Sequence, residues 1–198
     1  MQLQKYLAEL LGTFALTLAV WLSIGFSMPL STPLIAAITL GLFVYTVGHV
    51  SGAHLNPAIT CALISINKIK PQDGALYIVA QFLGAMLAMI VGRMLTGETV
   101  QVGASNSLAV GTAEALGALF FAFGVASVAY KKVQMPASGI VVGGSLLLGI
   151  YVALSLSNGV LNPAVALGIG SLNPMYILGP VIGAVAGMWA FRFLSDEK

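Results

Sequence analysis

Charge is what this sequence lacks most. Lys, Arg, Asp and Glu together make up 7% of its 198 residues, against 59% hydrophobic residues and a mean hydropathy of +1.00. A water-soluble domain needs a far larger charged fraction to cover its surface, so a soluble fold is excluded. The net charge of +2 comes with no basic cluster of the kind that neutralises phosphates, which argues against a nucleic-acid partner. Cysteine is nearly absent too. Cys61 stands alone, which rules out an intramolecular disulfide, and it sits in an apolar stretch where it reads as packing. No nucleophile–base pair or phosphate-binding loop is visible, so an enzyme is not indicated. Two histidines, His49 and His54, come without a clear third ligand and make a poor metal site. Neither metal nor cofactor is expected.

What the sequence has is long apolar runs. The first, Leu7 to Phe26, lacks a small-residue cleavage signature and reads as a first spanning helix. Six spans are predicted: Gln4 to Phe26, Pro33 to Val50, Gln72 to Leu95, Leu108 to Tyr130, Ala137 to Leu156 and Pro174 to Leu194. Each is near the ~20 residues that cross ~30 Å of hydrocarbon. The connections are short, and the chain reads as one domain over residues 1–198, without a separate soluble part. Two segments, Ser51 to Ile66 and Ser157 to Leu172, are apolar but too short to cross once the neighbouring spans are assigned. They read as re-entrant, because irregular backbone at membrane depth persists only inside protein or along a wet cavity.

The few positive charges agree with this topology. With the N-terminus cytoplasmic, six crossings place Lys5, Lys68, Lys70, Lys131, Lys132, Arg192 and Lys198 on the cytoplasmic side and leave Arg93 near the other. That is the positive-inside pattern, and it requires both short segments to return to the side they left.

The halves repeat. Ala8-Glu9-Leu10-Leu11-Gly12 is echoed by Ala113-Glu114-Ala115-Leu116-Gly117, and Leu55-Asn56-Pro57-Ala58 by Leu161-Asn162-Pro163-Ala164. Tyr77-Ile78 with Gly84-Ala85 is echoed by Tyr176-Ile177 with Gly183-Ala184, in the same order. Repeat one covers about residues 1–106 and repeat two about 107–198. Three spans per repeat is an odd number, so the second copy is inverted. Inverted repeats place broken helices around a shared central site.

Asn-Pro-Ala is a helix start: Asn is a favoured N-cap, and Pro suits the first position because its missing N–H is not needed there. Two half-helices of about 10 residues, ~15 Å each, could meet tip to tip at the midplane. Each N-terminus carries roughly half a positive charge, which repels cations where hydration is thinnest. The amides of Asn56 and Asn162 would offer donors to a passing molecule. The carbonyls of Gly52, Ala53 and His54, and of Asn158, Gly159 and Val160, would offer acceptors. Glu9 and Glu114, ionisable and inside spans, mark function by default, with a proton relay as one reading. Gly12, Gly84, Gly117, Gly183 and Gly187 mark close helix approach.

The run Gly48-His49-Val50-Ser51-Gly52-Ala53-His54-Leu55-Asn56-Pro57-Ala58-Ile59-Thr60, with Ala80-Gln81-Phe82-Leu83-Gly84-Ala85, resembles the major intrinsic proteins, the aquaporin and aquaglyceroporin superfamily, and the resemblance covers nearly the whole chain. It implies an all-α, aquaporin-like right-handed bundle of six transmembrane helices plus two re-entrant half-helices. It also implies a homotetramer in the lipid bilayer, one pore per subunit for water and small neutral solutes, and no cofactor. By the same resemblance Glu9 and Glu114 brace the re-entrant loops through backbone N–H groups, His54 offers mainly its carbonyl, and His49 packs near the cytoplasmic mouth.

The sequence departs from the pattern at the constriction. Most members place Arg after the second Asn-Pro-Ala; here stands Val165. The other constriction positions map to Ala36, Ile150 and Gly159, none charged or aromatic. A wider and more apolar filter is expected than in a strict water channel. The Ala, Ile, Gly set resembles plant channels for boric acid and similar hydroxides, and Val at the Arg position resembles plant vacuolar water and urea channels. Ala166 stands where glycerol facilitators carry Asp. Two other classes stay open on the residues alone: a secondary transporter, which also uses inverted repeats but would need charged coupling pairs, and a structural membrane protein with little flux.

Overall fold

The computed structural model describes residues 2–26 and 28–196, so Lys198 lies outside the described residues. Every regular element there is helical. Six helices are long and apolar enough to cross a membrane. They are α1 (Gln2–Gly25), α2 (Thr32–Ser51), α4 (Pro71–Thr96), α5 (Leu108–Ala129), α6 (Ser138–Ala153, entered through a 3-10 turn at Met135–Ala137) and α8 (Met175–Leu194). Two short helices, α3 (Pro57–Ser65) and α7 (Pro163–Gly168), fall between spans where the re-entrant segments are predicted.

Local chemistry sets these limits. Pro33 opens α2, Pro71 opens α4, and the Ser107 hydroxyl caps α5 by accepting from the Val110 N–H at 3.3 Å. Gly52 and Gly97 end α2 and α4 in the left-handed conformation, at φ +90° and +72°. Gly52 thereby stops the second span and turns the chain back into the protein.

Packing follows the repeat. α1 lies against α4 as α5 lies against α8, α1 against α2 as α5 against α6, and α2 and α6 pair across the centre. Each half-helix packs against the last span of the other half, α3 on α8 and α7 on α4, and the two touch at their tips. The outward surface is apolar: Leu42, Leu76, Val79, Leu116, Leu148 and Ile182 are all exposed. The face at which α1 begins also carries the α3–α4 and α5–α6 connections and the end of α8, hence Lys5, Lys68, Lys70, Lys131, Lys132 and Arg192. We refer to it as the basic face and to its opposite as the far face, where Arg93 sits at the end of α4.

Candidate pore and its two half-helices

Each Asn of the paired motifs caps its own half-helix and clasps the opposite one. The Asn56 side-chain oxygen accepts from the Ala58 N–H at 2.8 Å; that of Asn162 accepts from Ala164 at 3.0 Å and Val165 at 3.4 Å. The Asn56 Nδ2 donates to the Leu161 carbonyl at 2.9 Å, and the Asn162 Nδ2 donates to the Leu55 carbonyl at 2.9 Å. An amide nitrogen carries two hydrogens, and this clasp engages one on each side. Pro57, Ala58, Pro163 and Ala164 are buried behind the tips, as the first turns of α3 and α7.

Two carboxylates hold the loops that lead to those tips. Glu9 Oε1 accepts from the Ser51 hydroxyl at 2.7 Å and the His54 N–H at 3.0 Å; Oε2 accepts from the Leu55 N–H at 2.7 Å. Glu114 repeats this with Ser157 (2.8 Å), Val160 (3.0 Å) and Leu161 (2.7 Å). Both glutamates are fully buried. Their grip holds non-glycine residues in the left-handed region, Leu55 at φ +49° and Leu161 at +55°, with Ala53 at +49° and Gly159 at +62° two residues earlier in each loop. Such backbone costs of order 1–3 kcal/mol per residue and persists only where surrounding bonds fix it. Gly12 and Gly117 make room for it: a Cβ at either would collide with the Leu55 or Leu161 side chain.

The halves differ in one respect that sequence reading did not anticipate. Glu9 has a further donor, Gln81 Nε2 at 2.8 Å, which also donates to the Thr60 hydroxyl at 2.9 Å. Thr60 in turn lies 3.2 Å from His54 Nδ1. The positions equivalent to His54, Thr60 and Gln81 in the second half are Val160, Ala166 and Pro180. A glutamine in the middle of an apolar span was the available signal.

Two cavities meet this centre. The far-face cavity, about 370 Å³, is lined by all four mapped constriction residues, Ala36, Ile150, Gly159 and Val165, and by Asn56 and Asn162. Among the described residues no charged side chain lines it; Leu16, Leu40 and Phe121 form an apolar wall. His54, Asn158, Gly159 and Val160 also border it. The basic-face cavity, about 330 Å³, is bordered by Gly52 and again by His54, so His54 stands where the two approach. Ala53 is buried and borders neither. Among the described residues, no protein donor engages the carbonyls of Gly52, Ala53, His54, Asn158, Gly159 and Val160. His49 is exposed at the end of α2 and lines neither cavity.

α7 is shorter than the ten residues expected. Its six residues cover ~9 Å. Gly170, at φ +73°, donates to the Leu167 carbonyl and Ser171 donates to Ala166, a Schellman stop. α3 ends in the same motif at Asn67, φ +60°, three positions later relative to its motif. Among the described residues no group of three His, Cys, Asp or Glu gathers as for a metal.

Comparison with known proteins agrees with this architecture. The family model for major intrinsic proteins matches residues 1–191. The chain is 32% identical to nodulin-26 of Glycine max, over 97% of this chain and 78% of that protein. It is 32% identical to the probable aquaporin AqpM of Archaeoglobus fulgidus, over 89% of this chain and 78% of the relative. Aquaporin NIP1-1 of Zea mays is 30% identical, over 97% and 75%. The X-ray structure of the aquaglyceroporin from Plasmodium falciparum superposes with a TM-score of 0.68, covering 99% of this chain and 96% of the other, at 20% identity, which speaks for the fold alone. With six apolar spanning helices and two re-entrant half-helices built around paired Asn-Pro-Ala motifs, this chain is an integral membrane protein that belongs to the major intrinsic protein family.

Proposed function

We propose that the protein is a passive channel for water and small uncharged solutes such as glycerol, urea, ammonia, hydrogen peroxide or metalloid hydroxides. The observation that carries this is the clasp of Asn56 and Asn162 between two cavities, each amide keeping a second N–H beyond the one spent on the opposite loop. That hydrogen and the unengaged loop carbonyls are the polar groups a solute needs when it sheds water in an apolar passage. The solute moves down its own gradient, and the chain carries out no catalysis.

Ion exclusion rests on the N-termini of α3 and α7, which face one point and place partial positive charge there. The constriction is the set Ala36, Ile150, Gly159 and Val165. Its apolar character favours solutes with more carbon or less charge density over a strict water file. The chain acts as one channel domain, assembled as a homotetramer in the plasma membrane, with both termini on the cytoplasmic side. The basic face supports that orientation.

Shrinkage of proteoliposomes in stopped flow tests the reading, with water, glycerol, urea, ammonia and boric acid as the panel. Fast, non-saturating flux with a low activation barrier is expected. Saturable, ion-dependent flux would make the protein a secondary transporter, and no flux would leave a structural role. The Val165→Arg substitution should reduce glycerol and urea flux by about tenfold or more and water flux much less, because a guanidinium fills the constriction. Equal loss for all solutes would remove Val165 from the filter.

A further inference from the structure

Among the described residues the far-face cavity has no charged wall, whereas the basic-face cavity has one charged residue in its lining: Lys68. Its position is built rather than incidental. α3 ends in a Schellman motif in which the Asn67 N–H donates to the Ile64 carbonyl at 3.0 Å and the Lys68 N–H to the Leu63 carbonyl at 2.9 Å. The turn therefore fixes the Lys68 backbone directly past the negative end of α3, where a cation is favoured. α5 ends in the same motif, Lys131 donating to Val128 and Lys132 to Ser127, both at 2.9 Å, which fixes Tyr130. The two ends meet: the Lys68 ammonium lies 3.8 Å from the centre of the Tyr130 ring. Tyr130 is buried and stacked on Phe191 at 6.0 Å, its hydroxyl has no partner among the described residues, and the ring face is what it offers Lys68.

From this we infer that Lys68, seated on Tyr130, is a specificity-determining residue at the basic-face mouth, giving that vestibule a positive potential that turns cations away before they reach the Asn-Pro-Ala centre. The inference rests on the channel reading of the same passage. It places the side-chain charge of the pore on the opposite side from Val165. Other titratable groups of that face stand elsewhere: Asp73 pairs with Lys5 at 2.9 Å and accepts from Tyr6, and these three, like Lys70, Lys131, Lys132 and Arg192, do not border the cavity. His54 borders it alongside Lys68.

The potential can be read without relying on ion leak. Val128 lines the vestibule and is half-buried. In a Cys61→Ala background, Val128→Cys is treated with an anionic sulfonate and a cationic ammonium methanethiosulfonate, and the two modification rates are compared. The anion-to-cation ratio should fall about five- to tenfold in Lys68→Gln, fall further in Lys68→Glu, and return in Lys68→Arg. Tyr130→Leu should lower it and Tyr130→Phe should not. With Lys68 in place, raising salt from ~0.02 to ~0.5 M should lower the ratio through screening, a measurement that needs no Lys68 variant to fold. A ratio unchanged by Lys68→Gln overturns the inference, and so does a ratio that salt leaves unchanged with Lys68 in place. Water flux is recorded on the Val128→Cys vesicles: absent flux there defeats the channel reading, while flux with a charge-independent ratio defeats the role of Lys68 alone.

Discussion

Glu9 and Glu114 do the same work with unequal support. Each accepts a serine hydroxyl and two backbone N–H groups, but Glu9 also receives Gln81, whose Oε1 is buried without a partner. A glutamine in place of either glutamate turns one acceptor into a donor that faces donors. At position 114 the Ser157 hydroxyl can turn to the Ala153 carbonyl, 3.0 Å away, but the N–H of Val160 or Leu161 still loses its acceptor. Bonds to a charged group contribute about 1.5–3 kcal/mol each, so Glu114→Gln should lower stability in detergent by roughly 2–3 kcal/mol and reduce water flux at least tenfold. At position 9 the Gln81 amide can turn over and present Oε1 to the new NH2. Glu9→Gln should therefore be milder, and adding Gln81→Leu should make it as severe as Glu114→Gln. Thermal unfolding of the four variants decides this; equal damage from the two single substitutions would show that Gln81 does not compensate.

The helices are held together where side chains are missing. A Cβ on Gly84 would strike the Leu10 carbonyl of α1, and a Cβ on Gly183 would strike the Ala115 carbonyl of α5, the equivalent contact in the second half. Gly84→Val and Gly183→Val should each push a helix pair apart and cost more than about 3 kcal/mol, seen as loss of monodisperse protein on gel filtration. Gly144, inside α6, has nothing within 4 Å of a Cβ. Gly144→Ala should raise stability by about 0.5–1 kcal/mol, because it contributes helix propensity and strikes nothing. These elements were readable from sequence to different degrees. The starts of α3 and α7 were legible because Asn-Pro-Ala carries its own cap and first turn. The early end of α7 was not, because Gly170 acts through a left-handed backbone that composition does not announce. The glutamates were visible as lone charges in apolar runs. The polar set of His54, Thr60 and Gln81 was hidden, because its members come from a loop, a half-helix and a later span, and no periodic pattern joins them.

Across the whole molecule, charge is distributed by face: Arg93 is the one Lys or Arg of the described residues on the far face, and the remainder gather on the basic face. The orientation drawn from this can be checked with single cysteines at exposed positions in the Cys61→Ala background. Glu98→Cys, after α4, should react with a membrane-impermeant maleimide in intact cells, and Gln134→Cys, before α6, only after permeabilisation. The reverse pattern would invert the protein in the membrane. The inverted repeat, the six crossings and the meeting of the two short helices were legible at this scale, since they follow from counting spans. The mutual clasp was not, because the acceptors are the backbone carbonyls of Leu55 and Leu161, which a sequence does not display. That clasp also bears on how the protein is made. While only the first half has left the ribosome, Glu9 already holds the first re-entrant loop, but Asn56 has no Leu161 to hold and the Leu55 carbonyl has no donor, so the tip of α3 stays unclasped. That clasp closes only when α7 follows, after five of the six spanning helices, so the centre of the fold is assembled late in synthesis.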